Sequence, residues 1–387
     1  MRLKTLSGLQ REKIEEEYNE LMKLIAHLRE ILASERLVFD IIKEELLEIK
    51  EKYGDERLTK IVAAEGEIDD EDLIKEEQNV ITLTHFGYVK RMPIDMYKSQ
   101  KRGGKGIAGM ATREEDFVKQ IFTASTHDTI LFFSNKGKVY TLKGYELPEA
   151  GRTAKGTAIV NLLRLDQGEK ITAVIPIANF AEGKYLLMAT KNGMIKKTAL
   201  SEYSSVRKNG LLGITLKEND ELIGVRLTDG EDDVVLVTSH GMSITFSEKD
   251  VRPIGRTSQG VIGIKLDDED FVIGMESIIS RDNATLLAIT ENGFGKRTEL
   301  DEYRVQTRGG KGILTYKITA KTGNIVGIRI TRDDEDVMII TENGTIIRLE
   351  VKDINVLGRT TQGVTLMRTN EGKVVSIETI SPEDGEE

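Results

Sequence analysis

The seven residues Gln100-Lys101-Arg102-Gly103-Gly104-Lys105-Gly106 combine three cations with three glycines. Lys and Arg side chains neutralise the phosphates of a nucleic acid, and glycine lets the main chain take positive φ and approach a ligand closely. A loop of this composition is therefore suited to binding a phosphate backbone. Because a lone Gly- and Lys-rich loop is more often a solvated turn, its significance depends on what surrounds it.

A pair of glycines recurs six times along the chain, and Gly106 closes the first pair. The members of a pair lie 19 residues apart, or 20 in the third pair: Gly87 and Gly106, Gly137 and Gly156, Gly193 and Gly213, Gly241 and Gly260, Gly293 and Gly312, Gly344 and Gly363. A repeat of roughly 50 residues predicts a propeller or a solenoid.

Each repeat has the same order of elements. A run rich in β-branched residues, such as 233–238, leads into a hairpin turn with the first glycine, as in Asn192-Gly193. Asn-Gly between two such runs is the strongest short-range signal for a β-hairpin. A second strand, a loop ending at the second glycine and two further strands complete the repeat; in the fourth repeat these two lie at 261–266 and 271–275. Four strands in each of six repeats predict a mainly β, six-bladed, disc-like domain over residues 79–380.

The net charge of −10 is carried mostly outside the repeats. Residues 1–78 contain 13 Lys and Arg against 22 Asp and Glu, whereas residues 79–377 contain 42 against 38. Within the repeats, cations recur in the loop before the second glycine and in the strand after the hairpin turn. The loop set comprises Lys101, Arg102, Lys105, Arg152, Lys155, Arg207, Lys208, Arg252, Arg256, Arg304, Arg308, Lys311 and Arg359. The strand set comprises Lys90, Arg91, Lys138, Lys196, Lys197, Lys296, Arg297 and Arg348.

Equivalent positions of a propeller are arranged around its disc, so we expect these cations to form a belt. The acidic runs fall in other turns, at residues 229–233, 267–270 and 333–336. A curved positive belt suits a bent polyanion, and the scarcity of aromatic residues in these loops favours a duplex backbone over stacked single strands. We therefore predict that Gln100 to Gly106 and the two sets of cations bind double-stranded DNA without sequence preference.

Residues 7–53 have the apolar spacing of a coiled-coil helix, with a stripe at Leu21, Ile25, Leu28, Leu32, Val38, Ile42, Leu46, Ile49 and Tyr53. Ser7 and Gln10 fit a capping box, Ser34 can begin a second helix, and Gly54 ends the helical stretch. Nothing else in the sequence is helical enough to cover this stripe. We expect it to pair with another subunit or with a segment upstream of this chain. Residues 1–62 are thus assigned to a coiled-coil segment, 63–78 to an acidic linker and 381–387 to an acidic tail.

The composition excludes several kinds of site. Without Cys the chain forms neither a disulfide nor a thiolate metal site, and the four His are scattered, so we expect no bound metal. The sequence shows no signal peptide and no apolar run of 18 residues, which predicts a cytoplasmic protein.

Taken together, these residues resemble the C-terminal part of the DNA gyrase A subunit family. The loop Gln100 to Gly106 is similar to that family's seven-residue box, usually Gln-Arg-Arg-Gly-Gly-Lys-Gly, and departs from it only at Lys101, which keeps the charge but lacks the fork of Arg. The six repeats resemble the family's six-bladed β-pinwheel, and residues 1–59 resemble the end of its coiled-coil tower. The intact box argues against the C subunit of the related topoisomerase IV, which generally lacks one. Gln306 to Gly312 is a near copy of the box.

The resemblance implies a module that wraps duplex DNA within an ATP-dependent type II topoisomerase that introduces negative supercoils. It implies a gyrase B subunit and a second A subunit as partners in an A2B2 holoenzyme. ATP and Mg²⁺ would be bound on other parts of that assembly, with no cofactor in this chain. The family's DNA-cleaving Tyr lies upstream of the coiled coil, so none of the ten Tyr here is expected to be the nucleophile, and this segment alone is expected to be inactive.

Two other classes of protein remain open. A protein-interaction propeller with a coiled-coil dimerisation arm would not need cations at equivalent points in six repeats, and its binding would resist salt. An enzyme acting from the centre of the disc would need a convergent acid–base or nucleophile pair, which the sequence does not show.

Overall fold

The computed structural model describes residues 8–55, 59, 70–94, 118–151, 154–206, 208–343, 345–369 and 372–380 of the chain. The chain divides into two compact units, Met1–Glu67 and Ile68–Glu387. Among the described residues, the first unit is helical and the second consists of β-strands with short 3₁₀ turns.

The helical unit contains two helices, α1 over Gly8–Ala33 and α2 over Glu35–Tyr53. Ser34 separates them at φ −130° and ψ 105°, the extended conformation of an N-cap residue, although its side chain caps no N–H group of α2. Gly54 closes α2, and its N–H donates to the Lys50 carbonyl at 2.8 Å. The predicted break and end of the helical stretch are confirmed. Ser7, one half of the predicted capping box, lies outside the described residues.

The apolar stripe of the two helices is exposed. Leu21, Leu28 and Leu46 are 51%, 49% and 59% exposed, and Leu32 is 83% exposed. No described residue buries these four side chains, so the expectation of a partner outside this chain stays a prediction. Within the described ranges, no helix is long and apolar enough to cross a membrane.

The strands of the second unit follow the predicted repeats. The first three repeats contain β1 Gln78–Thr84, β2 Tyr88–Pro93, β3 Val118–Ser125, β4 Thr129–Ser134, β5 Lys138–Lys143, β6 Thr157–Ala158, β7 Ile171–Ile177, β8 Tyr185–Thr190, β9 Met194–Ala199, β10 Leu211–Leu212 and β11 Leu222–Thr228. The last three contain β12 Asp233–Thr238, β13 Met242–Ser247, β14 Val261–Ile262, β15 Val272–Ile278, β16 Thr285–Thr290, β17 Phe294–Glu299, β18 Ile313–Leu314, β19 Ile325–Thr331, β20 Asp336–Thr341, β21 Ile346–Glu350, β22 Val364–Thr365 and β23 Val374–Ile380.

Each of the first five sheets takes its outermost strand from the following repeat. The second sheet has the order β10-β5-β4-β7, so β10 of the third repeat pairs with β5. The same exchange joins β6 to β2, β14 to β9, β18 to β13 and β22 to β17. Five four-stranded sheets and a sixth with three described strands form the predicted six-bladed, mainly β domain.

This exchange corrects one expectation. The strand predicted at 261–266 is only Val261–Ile262, and it closes the sheet of the preceding repeat rather than its own. The strand that follows it, Val272–Ile278, does pair within its own repeat, with β12. Main-chain hydrogen bonds therefore tie each blade to the next, in addition to side-chain packing.

The glycines at the loop ends have a conformational role. Gly87 and Gly193 take φ of +81° and +80° in their hairpin turns, as the turn type requires. In the third repeat, the glycine directly before the outer strand is Gly210, at φ +78°, so the pairing of Gly193 with Gly213 is wrong. That loop is shorter than its equivalents. The corresponding glycines of the other described loops also have positive φ: Gly156, Gly260, Gly312 and Gly363.

The hydrophobic core lies between neighbouring sheets. Phe132 and Tyr140 of the second repeat are fully buried and pack with Ile81 and Val89 of the first. Four similar clusters join the second repeat to the third, and so on to the sixth. The second strand from the centre is consequently buried on both faces, which explains the continuous apolar runs in the sequence.

Candidate nucleic-acid interface

The sheet order places the basic loops at the outer rim of the β unit. Strands β3, β7, β11, β15, β19 and β23 lie at the centre, because residues of all six line one central channel. From β7 onward each strand contacts the next, and β23 contacts β3. The two-residue strands β6, β10, β14, β18 and β22 stand at the opposite edges of their sheets. In repeats two to six the basic loop leads directly into one of these outer strands, so its cations are held at the rim.

Many cations of the predicted belt are open to solvent. They come from the second to the sixth repeat, so accessible positive charge recurs from blade to blade. We call this set the accessible cations: the exposed Lys155, Lys208, Arg252, Arg304, Lys311 and Arg348, and the partly exposed Arg256, Arg308 and Arg359.

Some of the accessible cations are paired with carboxylates. Lys311 Nζ lies 2.5 Å from Asp267 Oδ1, and Lys208 Nζ lies 2.5 Å from Glu146 Oε1. The hydrogen bond to Asp267 holds the pKa of Lys311 above its usual value. The expected separation of acidic turns from the basic belt is therefore incomplete. Exposed ion pairs contribute little to stability, so an ammonium group can exchange its carboxylate for a phosphate.

Part of the strand set is buried. Lys90, Lys196 and Lys296 are 0%, 0% and 1% exposed. Lys296 Nζ donates to the carbonyls of Gly358 at 2.7 Å and Arg359 at 2.6 Å. Burial lowers the pKa of Lys196 and of Lys296 to about 8. Their assignment as phosphate ligands is therefore corrected, because these ammonium groups bind the protein's own main chain.

Lys197, Arg297 and Arg91 also have partners inside the protein. Lys197 is 4% exposed, and its Nζ lies 4.6 Å from the centre of the Tyr185 ring. Arg297 is 4% exposed and donates from Nε to the Ile354 carbonyl at 2.8 Å. The Arg91 side chain is 16% exposed and donates from Nε to a carbonyl of the following repeat at 2.9 Å. We assign these three to the packing of the blades rather than to an accessible surface.

The box itself, Gln100, Lys101, Arg102, Gly103, Gly104, Lys105 and Gly106, lies outside the described residues, as do Arg152 and Arg207. Their part in DNA binding stays a prediction. The near copy of the box in the fifth repeat is described. Arg308 donates from Nε to the Asp250 carbonyl at 3.0 Å and from Nη1 to the Ile262 carbonyl at 3.1 Å, so this guanidinium is partly used in holding its own loop.

The repeats alternate between two types of loop, a period of two repeats on top of the period of one. Even repeats carry Gly-Arg-Thr, at 151–153, 255–257 and 358–360, and we call these the Gly-Arg loops. The third residue after the hairpin glycine alternates in step: Lys in odd repeats, but Tyr140, Ile244 and Ile347 in even repeats. Comparison of alternate repeats would have set the buried lysines apart from the other cations.

The centre of the β unit holds a ladder of paired charges. A cavity of about 370 Å³ is lined by the inner strands. Glu276 Oε1 lies 2.8 Å from Arg226 and 3.3 Å from Arg329, and Arg329 lies 2.8 Å from Glu378. The charged side chains that line the channel are thus neutralised by one another. This arrangement lends no support to an enzyme acting from the centre.

Three carboxylates gather beside the fourth blade. Oxygens of Asp229, Asp232 and Glu248 lie within 4.8 Å of one another. Burial, followed by the charges of Glu248 and Asp229, raises the pKa of Asp232. Lys197 Nζ lies 3.2 Å from Glu248 and supplies positive charge to the cluster. We assign no metal to it, and the expectation that the chain binds none stays a prediction.

Six blades that exchange their outer strands, with accessible cations on the loops before those strands, define a propeller of the type found in bacterial type II topoisomerases. The family model described as DNA gyrase C-terminal domain, beta-propeller, matches residues 78–125, 128–178, 184–229, 232–279, 284–332 and 335–381. The chain belongs to this family, and the resemblance drawn from the sequence is confirmed.

Individual relatives agree with this membership. The chain is 54% identical to the DNA gyrase A subunit of Clostridium acetobutylicum over 388 residues, which cover 100% of this chain and 46% of the relative. It is 50% identical to that of Staphylococcus epidermidis, over 97% of this chain and 42% of the relative. The chain therefore spans less than half the length of these relatives.

Two solved structures share the fold. The C-terminal domain of DNA topoisomerase IV matches with a TM-score of 0.71 and 30% identity, over 81% of this chain and 96% of that structure. The DNA gyrase A C-terminal domain matches with a TM-score of 0.64 and 26% identity, over 79% of this chain and 100% of that structure.

Proposed function

We propose that this chain binds and wraps duplex DNA as the C-terminal domain of the A protein of a DNA gyrase, and so enables negative supercoiling by the whole enzyme. The observation that carries the proposal is the placement of accessible cations at the rim, all but Arg348 on the loops that lead into the outer strands. Family membership supports it, because the relatives are gyrase A proteins.

The geometry suits a bent duplex. Bending 20–30 base pairs by 40–90° costs about 1–6 kcal/mol, and phosphate contacts distributed along a curved rim offset that cost. Flexible Lys and Arg side chains on loops contact phosphates rather than base edges, so binding tolerates any sequence. Wrapping places a second duplex segment close to the first, where the enzyme passes one through the other.

Supercoiling requires groups that we assign to other parts of the enzyme. We infer partners in a gyrase B subunit, carrying ATP and Mg²⁺, and in a second A subunit within an A2B2 assembly. The DNA-cleaving Tyr belongs to the part of the gyrase A protein that precedes the coiled coil. We infer that the chain lies in the bacterial cytoplasm, where such an assembly would act on chromosomal DNA.

Salt titration of duplex binding tests the proposal. If each blade supplies at least one phosphate contact, log K should fall against log salt with a slope of about −5 or steeper. Unrelated duplexes of equal length should give the same affinity. A slope near zero would overturn the proposal and favour the protein-interaction alternative. In the complete enzyme, decatenation without negative supercoiling would favour a topoisomerase IV role.

A further inference from the structure

Three buried lysines occupy the same place in alternate blades. Lys90, Lys196 and Lys296 are each the third residue after a hairpin glycine, on the strand that receives the outer strand of the next repeat. Even repeats have an aromatic or aliphatic side chain there. Burying an ammonium group costs free energy that an apolar side chain would not. A charge kept at these three places therefore needs a reason beyond filling space.

The ammonium groups all point to the Gly-Arg loop of the following repeat. Lys90 Nζ donates to the Gly151 carbonyl at 3.1 Å. Lys196 Nζ donates to the Arg256 carbonyl, and Lys296 Nζ donates to the Arg359 carbonyl at 2.6 Å. Each lysine thus fixes the main chain at, or directly before, the arginine of the loop.

The loops that receive these bonds share one turn. The N–H of the fourth loop residue donates to the glycine carbonyl in all three: Ala154 to Gly151 at 3.0 Å, Ser258 to Gly255 at 3.2 Å and Thr361 to Gly358 at 3.3 Å. Lys296 Nζ also donates to the Gly358 carbonyl at 2.7 Å and to the Thr361 hydroxyl at 3.2 Å, so it is hydrogen-bonded to the first and the last residue of its turn.

The two described arginines of these loops share a further feature. Arg256 Nη1 and Arg359 Nε are buried nitrogens without a hydrogen-bond partner. Arg359 Nε lies 3.7 Å from Glu302 Oε2, and Arg359 Nη1 donates to the Leu314 carbonyl at 3.1 Å. The buried nitrogens do not reach a phosphate, but both side chains are partly exposed, and exposed guanidinium donors suit a phosphate oxygen. The main chain of each arginine is held while part of its side chain stays open to solvent.

The charged groups around each lysine are few. Arg256 lowers the pKa of Lys196 further after burial, and Glu202 opposes it. Glu302 raises the pKa of Lys296 and Arg359 lowers it, and the Tyr316 ring lies 5.1 Å from Nζ. Lys196 and Lys296 therefore bind main-chain carbonyls, which for Lys196 include that of Gly213 at 2.7 Å, rather than a carboxylate in direct contact.

We infer that Lys196 and Lys296, and Lys90 by the same placement, are positioning residues that lock the Gly-Arg loops of the even repeats and thereby set where their arginines meet DNA. The inference rests on the proposed function. On this basis the rim carries two kinds of loop. In the fourth and sixth repeats an arginine lies on a loop anchored by the preceding blade, whereas the described Gly-rich loop of the fifth repeat, with Gly309, Gly310 and Gly312, follows a blade that has Ile244 at the lysine position.

The test uses the full chain with Lys196→Met or Lys296→Met. Without DNA, amide hydrogen exchange should accelerate by roughly tenfold or more in the loop facing the changed lysine. Lys196→Met should act on residues 255–258 and leave 358–361 unchanged, and Lys296→Met should do the reverse. Each variant is thus the matched control for the other, and this readout does not depend on DNA binding.

The DNA readout is a double-mutant cycle on a random-sequence duplex. Lys196→Met should weaken binding by about 3- to 10-fold and flatten the salt slope by about 1, because Arg256 loses its contact. Adding Arg256→Ala to Lys196→Met should then weaken binding little further, since both changes remove one interaction. Lys196→Arg keeps a buried charge and should preserve more of the affinity than Met does.

Lys197→Met separates positioning from a general loss of stability. Lys197 is also buried on the same strand, but its side chain binds Glu248 rather than a Gly-Arg loop. It should lower the melting temperature without the loop-specific exchange or the change of slope. If the wild type binds duplex and both Met variants bind it with the same affinity and the same salt slope, this inference is overturned and the proposed function is not. A wild-type chain that binds no duplex would overturn the proposed function and this inference together.

Discussion

Lys311 of the fifth repeat is held by Asp267 of the fourth, with Nζ 2.5 Å from Oδ1. Both side chains are largely exposed, at 62% and 66%. The pair joins one of the accessible cations to one of the acidic runs. A phosphate that reaches Lys311 must therefore displace a carboxylate or tolerate its charge.

Removing that carboxylate should strengthen DNA binding. Asp267→Asn frees Lys311 and removes a negative charge from the rim, so duplex affinity should rise by about 2- to 5-fold at low salt and less at high salt. Glu15→Gln makes the same change of net charge at the exposed Arg11–Glu15 pair of α1 and should have no such effect. Equal gains in both variants would show that net charge alone is responsible. Fluorescence anisotropy at two salt concentrations provides the measurement.

The box should matter more than its near copy. Replacing Lys101, Arg102 and Lys105 with Ala removes three predicted phosphate partners and should flatten the salt slope by about 3. In the complete enzyme it should abolish negative supercoiling and leave relaxation intact. Arg308→Ala with Lys311→Ala should flatten the slope by about 1, because these cations already bind loop carbonyls and Asp267. If the box variant supercoils normally and the repeat-five variant does not, the loop most important for wrapping lies in the fifth blade and not in the first.

Gly312 ends a basic loop where its main chain passes close to that of a neighbouring strand, so we expect its replacement to destabilise the fold. Gly312 has φ +78°, and a Cβ there would lie 2.1 Å from the Ser243 carbonyl oxygen. Gly312→Ala should therefore lower the free energy of unfolding by about 2 kcal/mol or more. Gly255→Ala is the matched control, since a Cβ at Gly255 meets nothing within 4 Å. Chemical denaturation that finds equal losses for the two would contradict the close approach described here.

The buried lysines should make stability rise at alkaline pH. The pKa of Lys196 and of Lys296 is lowered to about 8 in the fold, from an ordinary 10.5. Between these values the unfolded chain binds more protons than the folded chain, so the lysine contribution to the free energy of unfolding increases with pH. Below pH 8 both states are protonated, and the full cost of burying the charges is present.

The measurement is chemical denaturation at pH 8 and pH 10. Relative to the Lys196→Met, Lys296→Met double variant, the wild type should gain on the order of 1–3 kcal/mol per lysine. The variant keeps every buried Tyr, so the difference isolates the two lysines. If the wild type instead loses stability relative to the double variant between pH 8 and pH 10, the folded state favours the charged form of these amines.

Much of the fold could be read from local patterns. The recurring glycines, the Asn-Gly turns and the β-branched runs depend on conformational preferences of a few neighbouring residues. They predicted six blades, the hairpins within them and the basic loops that precede the outer strands. Gly54 marked the end of α2 for the same reason, because caps are local. The break at Ser34 was also predicted, although the Ser34 side chain makes no capping hydrogen bond.

The rest depended on contacts between distant residues. Which sheet receives each outer strand is decided by pairing across repeats, so β14 belongs to the third blade although its sequence lies in the fourth. Gly210 rather than Gly213 ends the third loop, because only the pairing of β10 with β5 sets the register. The sequence by itself determined the repeat, the turn positions and the placement of the cations in the loops. Only the tertiary structure decided which cations face water. Lys196 is buried and Lys208 is exposed although both are lysines, because burial depends on the residues that pack against each side chain.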